Sequence, residues 1–351
     1  MSRIGIAQRL PGCWYRRRLA VALWPLLPLS WLFGLLAGVR RWLYHCGALH
    51  SYRLTVPVVV VGNLTVGGSG KTPLVLWLVR RLQEQGWRPG IISRGYGGRG
   101  GQVHAVVASS GFSLVGDEPL LLARRSGVPV FVGCDRVAAG RALLAAHPDC
   151  DVIVSDDGMQ HYRLERTAQV VVFDSRGVGN GRLLPAGPLR EPLRRLAGVD
   201  AVVWNGPAEG RVEGAARHLP QFDMRLVGQR FVAISGEQSN CDADFLKSRK
   251  IHAIAGIGDP RRFFSQLEAL GLEFEAHPFP DHHPYSDADL AFARHDVLLM
   301  TEKDAVKCEP LVTGEAWVLP VEAVITSQPG QPGQAGLLET ILEKLHGRPP
   351  A

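Results

Sequence analysis

The chain has 351 residues, of which 46% are hydrophobic and 21% are charged, as in an ordinary globular protein that is long enough for two domains. The formal charge of +6 and the isoelectric point near 9.1 favour anionic partners, but do not separate nucleic acid, acidic lipid and phosphorylated metabolites. The six cysteines form no CxxC pair and no metal-ligand spacing, which argues against a cysteine zinc site and is typical of reduced cytosolic thiols.

The first part of the chain carries an apolar segment of membrane length. Arginines at 16–18 and 40–41 bracket the uncharged run 19–39, which as a helix would measure roughly 30 Å at about 1.5 Å per residue. No small-x-small cleavage site precedes the second arginine pair, so an exported protein is not predicted. We expect membrane association, while Pro25 and Pro28 leave open whether the segment spans the bilayer or enters it partly.

A predicted strand, 57–61, runs into the glycine-rich stretch 62–72, and a helix pattern follows. Glycines allow backbone N–H groups to converge on phosphate oxygens, a lysine adds positive charge, and a threonine hydroxyl can ligate Mg²⁺. Thr65 stands where the strict loop pattern has glycine, but the remainder is close to a GGxGKT loop. A structural glycine turn is the weaker alternative. The candidate phosphate-binding residues are Val66, Gly67, Gly68, Ser69, Gly70, Lys71 and Thr72.

Helix and strand patterns alternate after this loop, which predicts an α/β fold with a mostly parallel sheet and helices on both faces. The predicted strands of this core are 89–93, 103–108, 128–132, 152–155, 170–173 and 201–204, and its predicted helices are 74–85, 118–126 and 136–146. We expect four parts: a membrane-associated segment (1–44), a P-loop core (45–225), a β-rich linker (226–250) and a smaller C-terminal α/β domain (251–351). The predicted elements of the last part are 251–257, 260–270, 297–301 and 317–319.

Polar residues follow two of the predicted core strands. Asp156 and Asp157 end an apolar strand, as the Mg²⁺-holding partner of a P-loop should, although a surface turn would also explain them. His161 follows them and could contact phosphates or orient a carboxylate, or be merely structural. Arg94 could neutralise a phosphate and Tyr96 could pack on a base or sugar, with a solvated turn as the alternative.

Two further motifs combine acids or histidines with turn signals. Asp117 in GDEP stands at a predicted helix start, where it is either a functional acid or an N-cap. His282 and His283 lie beside Asp281 in the stretch 279–285, a combination that suits a metal site or acid–base catalysis.

Taken in order, the apolar segment and the motifs GNLTVGGSGKTP, SRGYGG, GDEPLLLA, SDDGMQH, LPAGPLREP, DHHPYS and TEKDAVK closely resemble those of the tetraacyldisaccharide 4′-kinase family. The resemblance extends from the apolar segment to about residue 307. It implies an ATP-dependent enzyme of lipid A biosynthesis that phosphorylates the 4′-hydroxyl of a tetraacylated glucosamine disaccharide 1-phosphate.

The resemblance also implies roles for particular residues. Lys71, Thr72 and Ser69 would hold ATP and Mg²⁺, while Asp156, Asp157 and Glu191 would arrange the metal. Asp117 would be the catalytic base in a dyad with His282, and whether His283 could replace His282 stays open. Because His282 lies beyond the predicted linker, we expect the dyad to form only when two domains close on ATP and lipid.

The implied substrate is an acylated disaccharide phosphate in the inner leaflet, so the resemblance places the enzyme at the bacterial inner membrane with its catalytic domain on the cytoplasmic side. It implies no nucleic-acid partner and no obligate protein partner. The rival interpretation is a P-loop regulatory or partner-binding NTPase at the membrane. A GTP-specific version would need an N-K-x-D motif, and Thr301-Glu302-Lys303-Asp304 has the wrong spacing to supply it.

Overall fold

The computed structural model describes residues 12–16, 19–95, 102–206, 218–234, 239–327 and 336–347. Tyr96, a predicted nucleotide contact, lies outside the described residues.

Ten α-helices are present in the described ranges from residue 19 onward: α1 (Leu27–His45), α2 (Lys71–Glu84), α3 (Phe112–Val115), α4 (Asp117–Ser126), α5 (Arg136–Ala146), α6 (Ala243–Leu246), α7 (Pro260–Ala269), α8 (Asp287–Leu290), α9 (Glu302–Cys308) and α10 (Leu337–His346). The first eight strands are β1 (Val58–Gly62), β2 (Pro89–Ser93), β3 (His104–Val106), β4 (Val130–Val132), β5 (Val152–Asp156), β6 (Ala168–Asp174), β7 (Ala201–Asn205) and β8 (Gln221–Val227). The others are β9 (Phe231–Ala233), β10 (Asn240–Cys241), β11 (Ile251–Ala255), β12 (Glu275–Pro278), β13 (Val297–Thr301), β14 (Ala316–Leu319) and β15 (Glu322–Ser327).

The chain divides into two compact units. The first unit comprises Met1–Ile92, Arg136–Arg225 and Ile325–Ala351, and the second comprises Ser93–Asp135 and Leu226–Val324. The sequence prediction assigned 93–135 to the P-loop core and 325–351 to the C-terminal domain. In the structure, 93–135 belongs to the second unit and 325–351 to the first.

Six neighbouring parallel strands, in the order β8-β7-β6-β1-β5-β2, form the centre of the first unit. Every residue of β1, β2, β5 and β7 is buried, which explains their near-continuous valine and isoleucine sequences. Helix α2 packs on β1 and β5, and α10 packs on α2 and β6. Because β1 and β5 are neighbours with Val61 opposite Asp156, the glycine-rich loop and the paired aspartates leave the sheet side by side.

The second unit contains a sheet of six strands in the order β10-β9-β14-β13-β11-β12. Its last four strands are parallel, while β9 and β10 pair antiparallel and come from the segment predicted as a linker. Phe263 and Leu267 of α7 pack in the core against buried residues of these strands. The 103–108 and 128–132 predictions correspond to β3 and β4, which form an antiparallel pair rather than parallel strands.

The apolar N-terminal run forms one helical segment, Val21–His45, that is long and apolar enough to cross a membrane. A 3₁₀ turn, Val21–Leu26, leads into α1. Pro25 lies in that turn and Pro28 in the first turn of α1, where proline is tolerated, so neither interrupts the long helix. Most of the segment is exposed, and its contacts with the first unit include a 2.8 Å hydrogen bond from Ser30 Oγ to the Leu183 carbonyl.

Candidate active site

The glycine-rich loop connects β1 to α2 in the first unit and has the backbone geometry that its glycines predict. Gly67 and Gly70 adopt φ angles of +98° and +86°, in the region that side chains with a Cβ rarely adopt. A Cβ atom on Gly70 would also lie 2.0 Å from Asn205 Nδ2. That amide donates a 3.0 Å hydrogen bond to the Ser69 carbonyl, so glycine at 70 is required both by the turn and by the close approach of β7.

The carbonyl oxygens of the loop are occupied by side chains from neighbouring segments. Asn63 Nδ2 donates to the Gly67 carbonyl over 3.2 Å, and the Arg176 guanidinium donates to the Gly68 carbonyl over 3.4 Å. Asp174 in turn binds and orients Arg176. Carbonyl oxygens repel phosphate. Because these two carbonyls accept hydrogen bonds from side chains, they do not oppose the binding of an anion by the loop.

Lys71 begins α2 and faces the carboxylate of Asp157. Its Nζ lies 3.8 Å from Asp157 Oδ1, and Arg190 Nη1 donates to both oxygens of the same carboxylate over 3.1 Å. Burial raises the pKa of Asp157, but the charges of Lys71 and Arg190 outweigh it and hold that pKa below its usual range. Asp157 therefore stays ionised at neutral pH between two cations that also suit phosphate oxygens.

Asp156, the last residue of β5, is buried, and Thr72 in the first turn of α2 is half-buried. Together with Asp157 they supply carboxylate and hydroxyl oxygens, the hard donors that Mg²⁺ prefers. The residues present thus fit a magnesium ion beside the loop.

Glu191, the third predicted metal ligand, is buried and engaged by other side chains. Tyr162 donates a short hydrogen bond to one carboxylate oxygen, and Gln160 Nε2 donates to the other over 3.3 Å. Arg195 lies 3.9 Å away. Burial and the adjacent Glu191 carboxylate raise the pKa of Tyr162 to about 12. Gln160 Oε1 also accepts from Arg190, so Glu191 is connected to Asp157 through two side chains.

The remaining predicted nucleotide contacts, His161, Arg94 and Val66, lie in three different segments of the first two thirds of the chain. His161 Nε2 accepts a 3.3 Å hydrogen bond from the Arg136 backbone N–H at the start of α5, which is the structural role left open for it. Arg94 follows β2 and is exposed. The Val66 N–H donates to the Pro188 carbonyl over 2.9 Å, which fixes the loop to the segment preceding Arg190.

A carboxylate–histidine pair forms in the second unit. Asp117 is the first residue of α4 and is only 5% exposed, and His282 Nδ1 lies 2.9 Å from its Oδ2. The hydrogen bond to Asp117 raises the pKa of His282. Burial raises the pKa of Asp117, but the hydrogen bond from His282 and the nearby lysine charges outweigh it and lower that pKa. At neutral pH the pair consists of an ionised carboxylate and a histidine that donates from Nδ1.

Two lysines of α9 complete this cluster. Lys303 Nζ lies 3.3 Å from His282 Nε2 and donates to Glu118 and Asp281 over 3.0 and 3.1 Å. Lys307 is buried, with Nζ 4.0 Å from Asp117 Oδ2. Helix α9 packs against α4, which brings these cations to the carboxylate.

The structure pairs Asp117 with His282 and not with His283. His283 instead packs against the rings of Phe279 and Tyr285, and its Nε2 lies 3.4 Å from Asp289 Oδ2. His282 adopts a φ of +59°, in the left-handed region that residues with a Cβ rarely adopt.

The expectation that the pair forms only on closure of two domains is wrong. Asp117 and His282 belong to the same compact unit, because the segment Ser93–Asp135 packs with Leu226–Val324. Linear order had placed a predicted linker between them, but strand and helix packing brings the two segments together.

Comparison with known proteins identifies the family. A family model described as tetraacyldisaccharide-1-P 4′-kinase (LpxK) matches residues 22–342. The chain belongs to this kinase family. The tetraacyldisaccharide 4′-kinase of Azoarcus sp. (strain BH72) is 54% identical over 350 residues, covering 99% of this chain and 98% of that protein. The corresponding enzyme of Dechloromonas aromatica (strain RCB) is 52% identical over 345 residues, covering 98% and 99%.

A crystal structure of LpxK from Aquifex aeolicus in complex with ATP shares the fold. It superposes with a TM-score of 0.77 at 31% identity, covering 93% of this chain and all of that one. The predicted family, the mixed α/β fold with a large, mostly parallel sheet, and a kinase of lipid A biosynthesis are therefore confirmed.

The sequence interpretation assigned no role to several residues that contact the candidate site residues. Arg190 was named only as part of the Glu191 motif, although it binds Asp157, and Lys303 and Lys307 only as part of TEKDAVK. The spacing of those two lysines, four residues apart at a predicted strand end, could have indicated that both lie on one helix face. Asn205 had no sequence signal, since its role depends on β7 lying beside the loop.

Proposed function

We propose that this kinase transfers the γ-phosphate of ATP to the 4′-hydroxyl of a tetraacylated glucosamine disaccharide 1-phosphate, with the glycine-rich loop as the nucleotide site and Asp117 as the base. The observation that carries the proposal is the hydrogen bond between the buried Asp117 carboxylate and the partly exposed His282, in a chain that also has a phosphate-binding loop. A regulatory NTPase needs the loop but has no acceptor alcohol, and so has no use for a separate acid–histidine pair.

The loop and its cations would bind the triphosphate. Gly67 to Gly70 present backbone N–H groups, while the Val66 N–H is held by the Pro188 carbonyl. Lys71 and Arg190 carry the positive charge, and Thr72 lies in the first turn of α2. Since ATP carries more negative charge than Asp157, both cations can exchange part of their contact with that carboxylate for phosphate oxygens.

Asp156, Asp157 and Thr72 would hold Mg²⁺, with Glu191 arranging them through Gln160 and Arg190. The ion would neutralise charge on the β- and γ-phosphates. Asp157, ionised because of its two cations, needs no deprotonation before it can act as a ligand.

Asp117 would accept the proton of the attacking hydroxyl. Its lowered pKa keeps the carboxylate ionised at neutral pH, so it is ready to accept the proton as the hydroxyl attacks. His282, donating from Nδ1, would orient the carboxylate. Lys303 donates toward Nε2 and so favours the tautomer with hydrogen on Nδ1. Arg94 and Tyr96 remain proposed nucleotide contacts, and His161 a positioning residue at α5.

The segment Val21–His45 would hold the enzyme at the bacterial inner membrane, with both units on the cytoplasmic side where ATP is available. Its large apolar side chains are exposed, including Trp31 at 66% and Leu35 at 63%. The flanking arginines would attract anionic headgroups at about 1 kcal/mol each. Such attachment brings the enzyme to a substrate whose acyl chains stay in the bilayer.

The test is a transfer assay with γ-labelled ATP, Mg²⁺ and the acylated disaccharide phosphate in mixed micelles. We expect label in the lipid product. The transfer rate should be at least 10²-fold lower for Lys71→Met, because this variant loses the positive charge that would stabilise the transferred phosphoryl group. Equal ATP loss with and without lipid, and no labelled lipid, would support the regulatory NTPase instead.

A further inference from the structure

Two histidines and a glutamate converge in the second unit and have no part in the proposed phosphoryl transfer. His252 lies on β11, and Glu275 and His277 lie on β12. The two strands pair in parallel with His252 opposite Glu275 and Ile254 opposite His277. Because side chains alternate along a strand, these three residues share one face of the sheet.

Their ligand atoms have the spacing of a metal site. His252 Nδ1 lies 3.1 Å from His277 Nε2 and 3.5 Å from a Glu275 oxygen, and His277 Nε2 lies 3.7 Å from the other oxygen. A tetrahedral ion with bonds of about 2.0–2.2 Å places its ligands roughly 3.3–3.6 Å apart. Small adjustments of exposed Glu275 and half-buried His277 would bring all three to that distance.

The other nitrogen of His252 is held as a metal ligand requires. Its Nε2 lies 3.1 Å from Asp296 Oδ2, and Lys250 binds the same oxygen over 2.8 Å. An ionised carboxylate only accepts hydrogen bonds, so Nε2 carries the hydrogen and Nδ1 presents a lone pair. A carboxylate behind a histidine is the usual second contact of metal-bound imidazole.

The two histidine rings cannot also supply a donor to Glu275. If His277 Nε2–H donates to His252 Nδ1, neither facing ring nitrogen has a hydrogen left for the Glu275 carboxylate, which is exposed and is left to water. A cation between the three groups satisfies both lone pairs and the carboxylate together. The Phe292 ring, stacked 3.8 Å from His277, shields one side of the cluster from water.

We propose that His252, Glu275 and His277 bind a divalent transition-metal ion, and that the ion is Zn²⁺. Two imidazole nitrogens and one carboxylate oxygen are a common zinc ligand set, and Mg²⁺ prefers oxygen ligands alone. A water molecule completes the tetrahedron.

Such an ion would fasten an edge strand. β12 lies at the end of its sheet, where it pairs with β11 on one side only, and most of its residues are exposed. The chain runs from β12 directly into 279–285, the segment that carries His282. A metal bound across β11 and β12 therefore fixes the start of that segment.

The experiment uses the full-length chain, purified in detergent and stripped of metal, titrated calorimetrically with ZnCl₂ in a buffer containing Mg²⁺. We expect one Zn²⁺ per chain with a dissociation constant in the micromolar range or tighter. Co²⁺ serves as an optical probe and should show visible absorption of the intensity typical of tetrahedral coordination. Neither readout depends on kinase activity, so failure of the proposed function leaves this test intact.

Glu275→Gln and His277→Gln are the main variants, since both side chains are partly or largely exposed and the fold should tolerate them. Each should weaken Zn²⁺ binding at least 10-fold. Asp296→Asn should weaken it roughly 10–100-fold, because Asp296 orients the His252 imidazole that binds the ion. His295→Gln is the matched control, an exposed histidine next to Asp296 that should bind Zn²⁺ as the wild type does. Zn²⁺ should also raise the melting temperature of the wild type but not of Glu275→Gln.

Unchanged affinity and an unchanged Co²⁺ spectrum in Glu275→Gln and His277→Gln would overturn the proposal, because surface histidines would then account for the binding. Failure of the wild type to bind Zn²⁺ at all would overturn it as well, leaving the cluster as a hydrogen-bonded histidine pair.

Discussion

The nucleotide loop of the first unit and the Asp117–His282 pair of the second differ in how the chain builds them. The loop is contiguous, and its shape depends on a few glycines with positive φ between one strand and the next helix. The pair joins residues 165 positions apart, brought together by α4, α9 and the segment after β12. A contiguous site keeps its chemistry in a motif, whereas a composite site depends on packing. Variants should accordingly affect ATP binding at the loop and turnover at the pair.

The largest effect that separates the two sites should come from Asp117→Asn. Asparagine preserves the size of the side chain but cannot accept the hydroxyl proton, so kcat should fall about 10²–10⁴-fold while the dissociation constant for ATP changes little. Transfer of labelled phosphate and equilibrium ATP binding measure the two quantities.

Asp287→Asn is the matched control, because Asp287 is also the first residue of a helix but is exposed. It should leave both quantities unchanged. Wild-type turnover in Asp117→Asn would remove Asp117 from the role of base.

His282→Gln should lower kcat by about 10²-fold, less than loss of the base itself, because the carboxylate remains but loses its orienting donor. His283→Gln tests the neighbouring position, where the ring packs against Phe279 and Tyr285. We expect nearly normal turnover in that variant. A larger loss at His283 than at His282 would contradict the pairing.

Gly70→Ala should perturb the loop through its backbone. An added Cβ meets Asn205 at 2.0 Å and also occupies a φ of +86°. We expect the free energy of unfolding to fall by about 1–2 kcal/mol because of the backbone strain, and by about 1–3 kcal/mol more because of the overlap with Asn205. Gly86→Ala has a similar φ of +84° with nothing within 4 Å, and should show the strain alone. Thermal unfolding compares the two, and equal losses would show that Asn205 does not restrict the loop.

The smallest effect concerns the pH dependence of stability. The raised pKa of His282 contributes stability that is fully present below about pH 6.5, its ordinary pKa, and is lost as the pH rises through the folded value. The lowered pKa of Asp117 contributes stability present above about pH 3.9 and lost as the pH falls through its folded value. The free energy of unfolding of the wild type should therefore exceed that of His282→Gln by about 1 kcal/mol between these limits, and this difference should shrink as the pH rises above about 6.5. Melting temperatures across this range measure the difference, and a constant gap would show that the pair does not titrate as an ion pair.

Prediction from the sequence succeeded where a local pattern controls structure. The all-valine strand Val58–Val61, the loop after it and the acids after Val152–Ser155 were placed because buried parallel strands and phosphate loops have short, contiguous patterns. Strand β12 was not predicted, because its Glu-Ala-His-Pro sequence is polar and lies at a sheet edge.

The amino-acid sequence by itself therefore determined the kinase family, the nucleotide loop and the acids that follow it, since each depends on residues close together in the chain. Only the tertiary structure decided that Asp117 and His282 share one unit, that His282 rather than His283 faces the carboxylate, and that Lys303 and Lys307 surround it. The physical reason is that these contacts arise from the packing of α4 on α9 and the pairing of β11 with its neighbours. Their free energy depends on three-dimensional burial and charge, which no short stretch of sequence contains.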